Sequence, residues 1–424
     1  MSSTNRMSDS ANLDESTDQE DRSFIGHTPS QIDALANRLA PHYTDFRIAD
    51  RILLTGHSHQ AWPNVARQGV LEGYHAAAER VDKKWGLAFE KIEHLRNYLR
   101  SWYNDTNGYY CPGPNTHSLV CSWLSSLNLK KGAQIVTTAD EFHSISRQLK
   151  RLQEEGIEVV SVPADSLDTL ADRLISALSP KTSAVLTSHV FFKTSHIFKE
   201  IGALAEVASQ RGIPMLIDDY HGTNIVPFSL APAPLAECFL VTGGYKYLQW
   251  GEGNCFLRFP KSCRLRPLMT GWFASYSSLA NPPEKIIYDE GDWRFASATF
   301  DPTSAFRGSH VANFFTEQHL TPSTLRQQSL GQIGFLRNAF LNLDFPKETI
   351  DLAHPLPPEQ NGGFLSLRSP HAGRLEEILF EKGVFTDSRG DILRLGPAPY
   401  IGTGQLKQAI EILGEALAST AKNL

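Results

Sequence analysis

With 424 residues, 41% of them hydrophobic and 20% charged, the chain is long enough for a large buried core and two or three structural units. Its net charge is −6, and residues 1–21 hold six acids against the single base Arg6, so the body is close to neutral. A near-neutral body without a basic block argues against nucleic acid or an anionic membrane surface as the main partner, and no stretch reaches the apolar length of a membrane span.

The N-terminal segment is rich in Ser, Thr, Asp and Asn and has no apolar run of the secretory type. Residues 1–25 are therefore expected to be a disordered acidic tail. Residues 26–60 are expected to pack with a small C-terminal unit. Between them and that unit, residues 61–295 read as one large α/β domain. Gly113-Pro114-Asn115-Thr116-His117-Ser118 precedes a helical run at Leu119–Leu127. Then Gln134–Thr138, Glu158–Val162, Ala184–His189, Met215–Asp218 and Phe239–Thr242 read as strands. Ser144–Glu154, Asp165–Ala177 and Phe198–Arg211 carry helical spacing between them. Uninterrupted apolar strands alternating with helices predict a largely parallel sheet covered on both faces, with ligands at the carboxyl ends of its strands. From about residue 296 to residue 424 the pattern changes to a smaller α+β unit, with strands at Gly363–Arg368 and Asp391–Leu395 and a last helix at Gln405–Ala418. The five cysteines are odd in number and lack a CxxC pair, which fits free thiols in the cytoplasm.

The P-loop, the GxGxxG fingerprint, the GxSxG elbow and HExxH are all missing. What stands out is Ile217-Asp218-Asp219-Tyr220-His221-Gly222, followed 28 positions after Asp218 by Gly244-Tyr245-Lys246-Tyr247. A carboxylate at one strand end and a lysine past the next suit pyridoxal phosphate chemistry: the lysine forms a Schiff base and the buried carboxylate keeps the pyridine nitrogen protonated. Taken singly, a surface lysine and a helix-capping aspartate would be the ordinary readings. The Asn115-Thr116 turn feeding a helix start offers N–H groups and hydroxyls to a phosphate, though such residues are more often simple caps. Phe142, after the next strand, can stack on a flat ring, though a lone Phe is more often core.

With these residues in place, the chain resembles the class V aminotransferase group of pyridoxal phosphate fold type I, and within it kynureninase. His57-Ser58 stands where kynureninase has an Asn-Ser-Leu-Gly turn. Phe142-His143-Ser144 matches the ring-stacking segment and Ser188 the next strand end. Asp218-Asp219-Tyr220-His221 matches Asp-Leu-Ala-His, and Gly244-Tyr245-Lys246-Tyr247 matches Ser-Tyr-Lys-Tyr. Gly271-Trp272-Phe273 matches Gly-Trp-Phe/Trp, and Leu393-Arg394-Leu395-Gly396-Pro397-Ala398-Pro399 matches Leu-Arg-Val-Ala-Pro-Val-Pro. The resemblance implies a mostly parallel seven-stranded sheet between helices plus a smaller α+β domain. It implies pyridoxal phosphate on Lys246, with Asp218 on the ring nitrogen and Phe142 on the ring face. Asn115, Thr116, Ser188, His221 and Tyr245 would hold the phosphate or ring substituents, and Arg394 the substrate α-carboxylate. Trp272 and Thr299 would reach the site of a neighbouring subunit, implying a homodimer with active sites at the subunit interface. The substrate would be a small-molecule L-amino acid, cleaved hydrolytically between Cβ and Cγ.

The departures from kynureninase lie on the substrate side. The early turn is His57-Ser58-His59-Gln60, no histidine stands at Ala78 or Glu79, and the Ser-Asn-Pro-Pro turn is replaced by Ala298-Thr299-Phe300-Asp301-Pro302. His57 and His59 are candidates for acid or base work on the substrate side chain, with Ser58 beside them, and a structural role stands equally open. Elimination, decarboxylation and transamination share the early chemistry and remain alternatives. A non-catalytic cofactor-binding protein is a further alternative. So is a metal-dependent hydrolase using His57 and His59 with His189, Asp218, Asp219 and His221.

Overall fold

The apolar runs between Gln134 and Gly243 lie side by side in one sheet of the computed structural model, which describes residues 26–231, 233–281 and 283–421. The expected tail, residues 1–25, lies outside the described residues. From the N-terminal side, α1 (Pro29–Leu39) leads to β1 (Ile52–Leu53) and the long helices α2 (Val65–Arg80) and α3 (Lys84–Trp102). Next come β2 (Gly108–Gly113), α4 (Thr116–Ser126), β3 (Gln134–Thr138), α5 (His143–Glu154), β4 (Glu158–Val162) and α6 (Leu170–Ala177). β5 (Thr182–Ser188), α7 (Ile201–Gln210), β6 (Met215–Asp218), β7 (Phe239–Gly243) and β8 (Cys255–Pro260) complete a seven-stranded sheet ordered β2-β8-β7-β6-β5-β3-β4.

The core strands β3, β6 and β7 are buried at every position, because helices cover both faces. β7, β6, β5, β3 and β4 pair in parallel, while β8 runs antiparallel to both β7 and β2 and makes the sheet mixed. The sequence pattern did not single out β2 or β8. Pro112 and two glycines weaken the strand signal of β2, and β8 returns along β7 after a loop too short for a crossover helix. The helix expected from Asp165 begins at Leu170, after a 3-10 turn at Leu167–Thr169, and α7 begins at Ile201 rather than Phe198.

Beyond β8, α8 (Thr303–Glu317) and α9 (Pro322–Leu341) lead to β9 (Asp351–Leu352), β10 (Leu365–Arg368), α10 (Ala372–Glu381), β11 (Val384–Phe385), β12 (Asp387–Arg389), β13 (Ile392–Leu395) and α11 (Thr403–Ala421). Four of these strands form an antiparallel sheet ordered β12-β13-β10-β9. β1 pairs in parallel with β11, so the early segment joins this unit. The β12–β13 hairpin turns through Gly390-Asp391, with Gly390 at φ 64°, a left-handed conformation that glycine adopts at little cost. That turn sets Asp387 directly opposite Arg394.

Candidate active site

The polar residues gather where the sheet ends. β3 delivers Glu141 and Phe142, β5 delivers Ser188, β6 delivers Asp218, and the turn after β7 delivers Lys246. Gly243 closes β7 with the Tyr220 ring so near that a Cβ there would come within 2.3 Å of it. The turn then folds back on itself, with Gln249 N donating to Lys246 O and Trp250 N to Gly244 O. Lys246 is 5% exposed. Its Nζ donates to the His57 carbonyl at 3.0 Å and lies 2.7 Å from His221 Nε2. Burial lowers the Lys246 ammonium to about 7, with Arg394 acting in the same sense and Asp218 and Asp387 opposing it. Burial, helped by Lys246 and Arg394, pushes His221 well below its usual range. Neutral His221 can therefore accept a hydrogen bond from the lysine amine at Nε2.

Asp218 is buried, and its Oδ1 accepts from Tyr220 N at 2.9 Å. Burial pushes its carboxyl up to about 7; the Tyr220 amide opposes this and the neighbouring Glu141 adds to it. Ser188 turns its hydroxyl to Glu141, donating to Oε2 at 2.7 Å, while its backbone N–H donates to Oε1 at 2.9 Å. Asp219 is engaged elsewhere: His189 Nδ1 lies 2.6 Å from its Oδ1, and Tyr103 donates to its Oδ2 at 2.8 Å.

At the other end of the cavity, Pro114, Asn115, Thr116 and His117 form the lining, and Asn115 caps α4 by accepting from Ser118 N at 2.8 Å. The first turn of α4 thus opens onto the cavity. Phe142 and Tyr220 flank the lysine, their ring centres 5.5 and 5.3 Å from Nζ. Tyr245 lines the mouth with His59 stacked on it at 4.7 Å. His59 is solvent-exposed, 3.2 Å from Ser58 Oγ and 3.8 Å from Glu252. Within this single chain Trp272 stacks on Phe273 at 4.0 Å and Thr299 is exposed, and neither lines the cavity.

His57 behaves differently from His59. It is 0% exposed, its Nε2 lies 2.7 Å from Asp387 Oδ1, and its ring packs 4.6 Å from Phe364. Burial and Arg394 push it down to about 4, against the pull of Asp387. Asp387 also receives Arg394: Nε donates to Oδ1 at 2.8 Å and Nη2 to Oδ2, while Nη1 donates to the Phe192 carbonyl at 2.5 Å. Reading the sequence missed Asp387, Glu141, Phe192 and Phe364. The Gly390-Asp391 turn was the available signal for Asp387, since a two-residue hairpin fixes the register on either side. The histidines and aspartates weighed as a metal set are dispersed. His57 goes to Asp387, His189 to Asp219 and His221 to Lys246, and among the described residues no group of three or more His, Cys, Asp or Glu is placed to hold a metal ion.

Fold and site together define a class V, fold type I protein of the pyridoxal phosphate-dependent kind. The aminotransferase class-V family model matches residues 66–249 and the kynureninase C-terminal domain model residues 325–413. A kynureninase from Deinococcus radiodurans is 26% identical over 300 residues, 68% of each chain. An uncharacterized aminotransferase from Bacillus subtilis is 21% identical over 77% of this chain and 84% of its own. Among solved structures, the cystine C-S lyase C-DES in complex with its product cysteine persulfide superposes with a TM-score of 0.74 at 18% identity, covering 87% of this chain and 98% of that one. The cysteine desulfurase of Thermococcus onnurineus superposes at 0.73 with 15% identity, over 90% and 98%. The residues present fit pyridoxal phosphate. Asp218 is a buried carboxyl beside which a protonated ring nitrogen would supply the counter-charge. The lysine amine is poised near neutrality, and the start of α4 lines the cavity where a phosphate would be received.

Proposed function

We propose that this enzyme cleaves the side chain of an L-amino acid hydrolytically between Cβ and Cγ, in the manner of kynureninase. The observation that carries the reading is the buried Lys246 amine, held 2.7 Å from neutral His221 beside Asp218 and within the field of Arg394. Pyridoxal phosphate, when bound, supplies the attachment point for the substrate amine and a sink for the electrons left on its α-carbon. Asp218 would hold the ring nitrogen in its protonated form, and Phe142 would support the ring face. Arg394 anchors the α-carboxylate, and Lys246 takes up the α-proton at Nζ. Water adds to the γ-carbonyl, the Cβ–Cγ bond breaks, and a carboxylic acid and alanine leave. His59, exposed at the mouth beside Tyr245 and Glu252, faces the substrate side chain; the buried His57 serves as a strut.

Two further readings accompany this one. The chain acts as a homodimer: Leu268, Met269, Tyr276, Ile286 and Ile287 are exposed apolar side chains on the segment that carries Trp272, which a second copy would cover. The enzyme works in the cytoplasm, a reading supported by its five free cysteines. The test is to record the absorption spectrum, trap the cofactor with borohydride and map the adduct, then analyse products from kynurenines, cysteine and cystine. An adduct on Lys246 with alanine released from a kynurenine is expected. Pyruvate and a sulfur product from cysteine or cystine would move the reading to elimination, and an adduct elsewhere would overturn it.

A further inference from the structure

Arg394 has five N–H groups, of which three are engaged: two on Asp387 and one on the Phe192 carbonyl. Asp387 takes the Nε/Nη2 edge side-on, as directly opposed residues on neighbouring antiparallel strands allow. One N–H on each terminal nitrogen is left over. Asp387 is itself fixed from the far side by His57 Nε2 at 2.7 Å, and it takes a weaker contact from Arg389 at 3.2 Å. The His57 ring is packed against Phe364, while its backbone carbonyl receives Lys246 Nζ. His57 thus ties the lysine amine to Asp387, and Asp387 ties it to the guanidinium.

We propose that Asp387 is a positioning residue for substrate recognition, fixing the Nε/Nη2 edge of Arg394 so that its two remaining terminal N–H groups meet the substrate α-carboxylate end-on. The inference rests on the reading of Arg394 as carboxylate anchor. Asp387 touches neither substrate nor cofactor and acts through the arginine. It also offsets the arginine's charge, so the clamp selects a carboxylate by geometry more than by net charge.

The test uses the holoenzyme and two probes, L-alanine and its carboxylate-free counterpart ethylamine, with dissociation constants read from the change in cofactor absorbance. R394Q is expected to weaken alanine and spare ethylamine; equal affinities in R394Q and the parent would overturn the anchor reading itself. D387N is expected to weaken alanine by about tenfold to a hundredfold while changing ethylamine by less than about twofold. In the R394Q background D387N is expected to add less than about twofold, because the two act as one unit. Unchanged alanine affinity in D387N, equal losses for both probes, or full additivity with R394Q would overturn the positioning role while leaving the anchor reading intact. D387E keeps the buried guanidinium paired but moves the carboxylate by one methylene. It is expected to lose about tenfold for alanine alone, and it decides the matter should D387N not fold.

Discussion

His57 Nδ1 occupies the space that a side chain at position 396 would need: a Cβ on Gly396 would lie 2.2 Å from it. In the motifs of kynureninase, Ala stands at the position of Gly396 and Asn at that of His57. The imidazole fits here because position 396 carries no methyl group. Nδ1 has no hydrogen-bond partner among the described residues, so the ring is held through Nε2 and by packing.

The first prediction is that Gly396→Ala displaces His57 and, with it, Asp387 and the carbonyl partner of Lys246. Overpacking of this kind costs about 1–3 kcal/mol. Thermal denaturation should show the loss, and the double variant with His57→Asn should recover most of it. A single Gly396→Ala protein as stable as the parent would show that the ring has room to move.

Lys246 should titrate near neutrality in cofactor-free protein. Burial and Arg394 have lowered its ammonium to about 7, so it is charged below that pH and a free nucleophile above it. Labelling by an amine-reactive reagent, followed by peptide mapping, should reach half its maximum rate at Lys246 near pH 7, whereas exposed lysines react only at much higher pH. Lys246→Ala should abolish turnover and the borohydride adduct while leaving the melting transition in place.

Asp218 carries the opposite sign. Its folded-state pKa, about 7, lies above its ordinary 3.8, so between these values the folded cofactor-free protein binds a proton that the unfolded chain has released. The associated stability is fully present below 3.8 and is lost as pH rises through 7. At pH 8 Asp218→Asn should therefore stabilise the cofactor-free protein, on the order of 1–3 kcal/mol, and that gain should vanish at pH 4. The same variant should bind pyridoxal phosphate at least about tenfold more weakly, because the ring nitrogen loses its counter-charge. Denaturation of the cofactor-free form at both pH values, with cofactor titration alongside, checks both halves.

The exposed apolar segment gives a prediction about assembly. Leu268 is 85% and Ile287 58% exposed, an unusual state for large aliphatic side chains clustered on one segment. Replacing both with Asp should convert a dimer into a monomer in sedimentation or light scattering and reduce activity with it. A parent protein that is monomeric at micromolar concentration would remove the homodimer reading.

The sequence by itself determined the five parallel core strands of the sheet, the cofactor class and the placing of Asp218 and Lys246 at neighbouring strand ends. Those features are local: apolar runs of four to seven residues define the core strands, and the reactive side chains follow a strand end within a few positions. Phe142 was legible for the same reason. The partners of the substrate end were not. His57 and Asp387 are 330 residues apart, and whether a histidine faces substrate or is sealed in the core depends on which strands close over it. The sequence left a catalytic and a structural role for His57 equally open; the fold buried its ring against Phe364, fixed it to Asp387, and left His59 exposed at the cavity mouth. Tertiary structure decided these matters because the energy of a buried charge depends on the counter-charge brought to it, and that choice is made by packing rather than by neighbours in the chain.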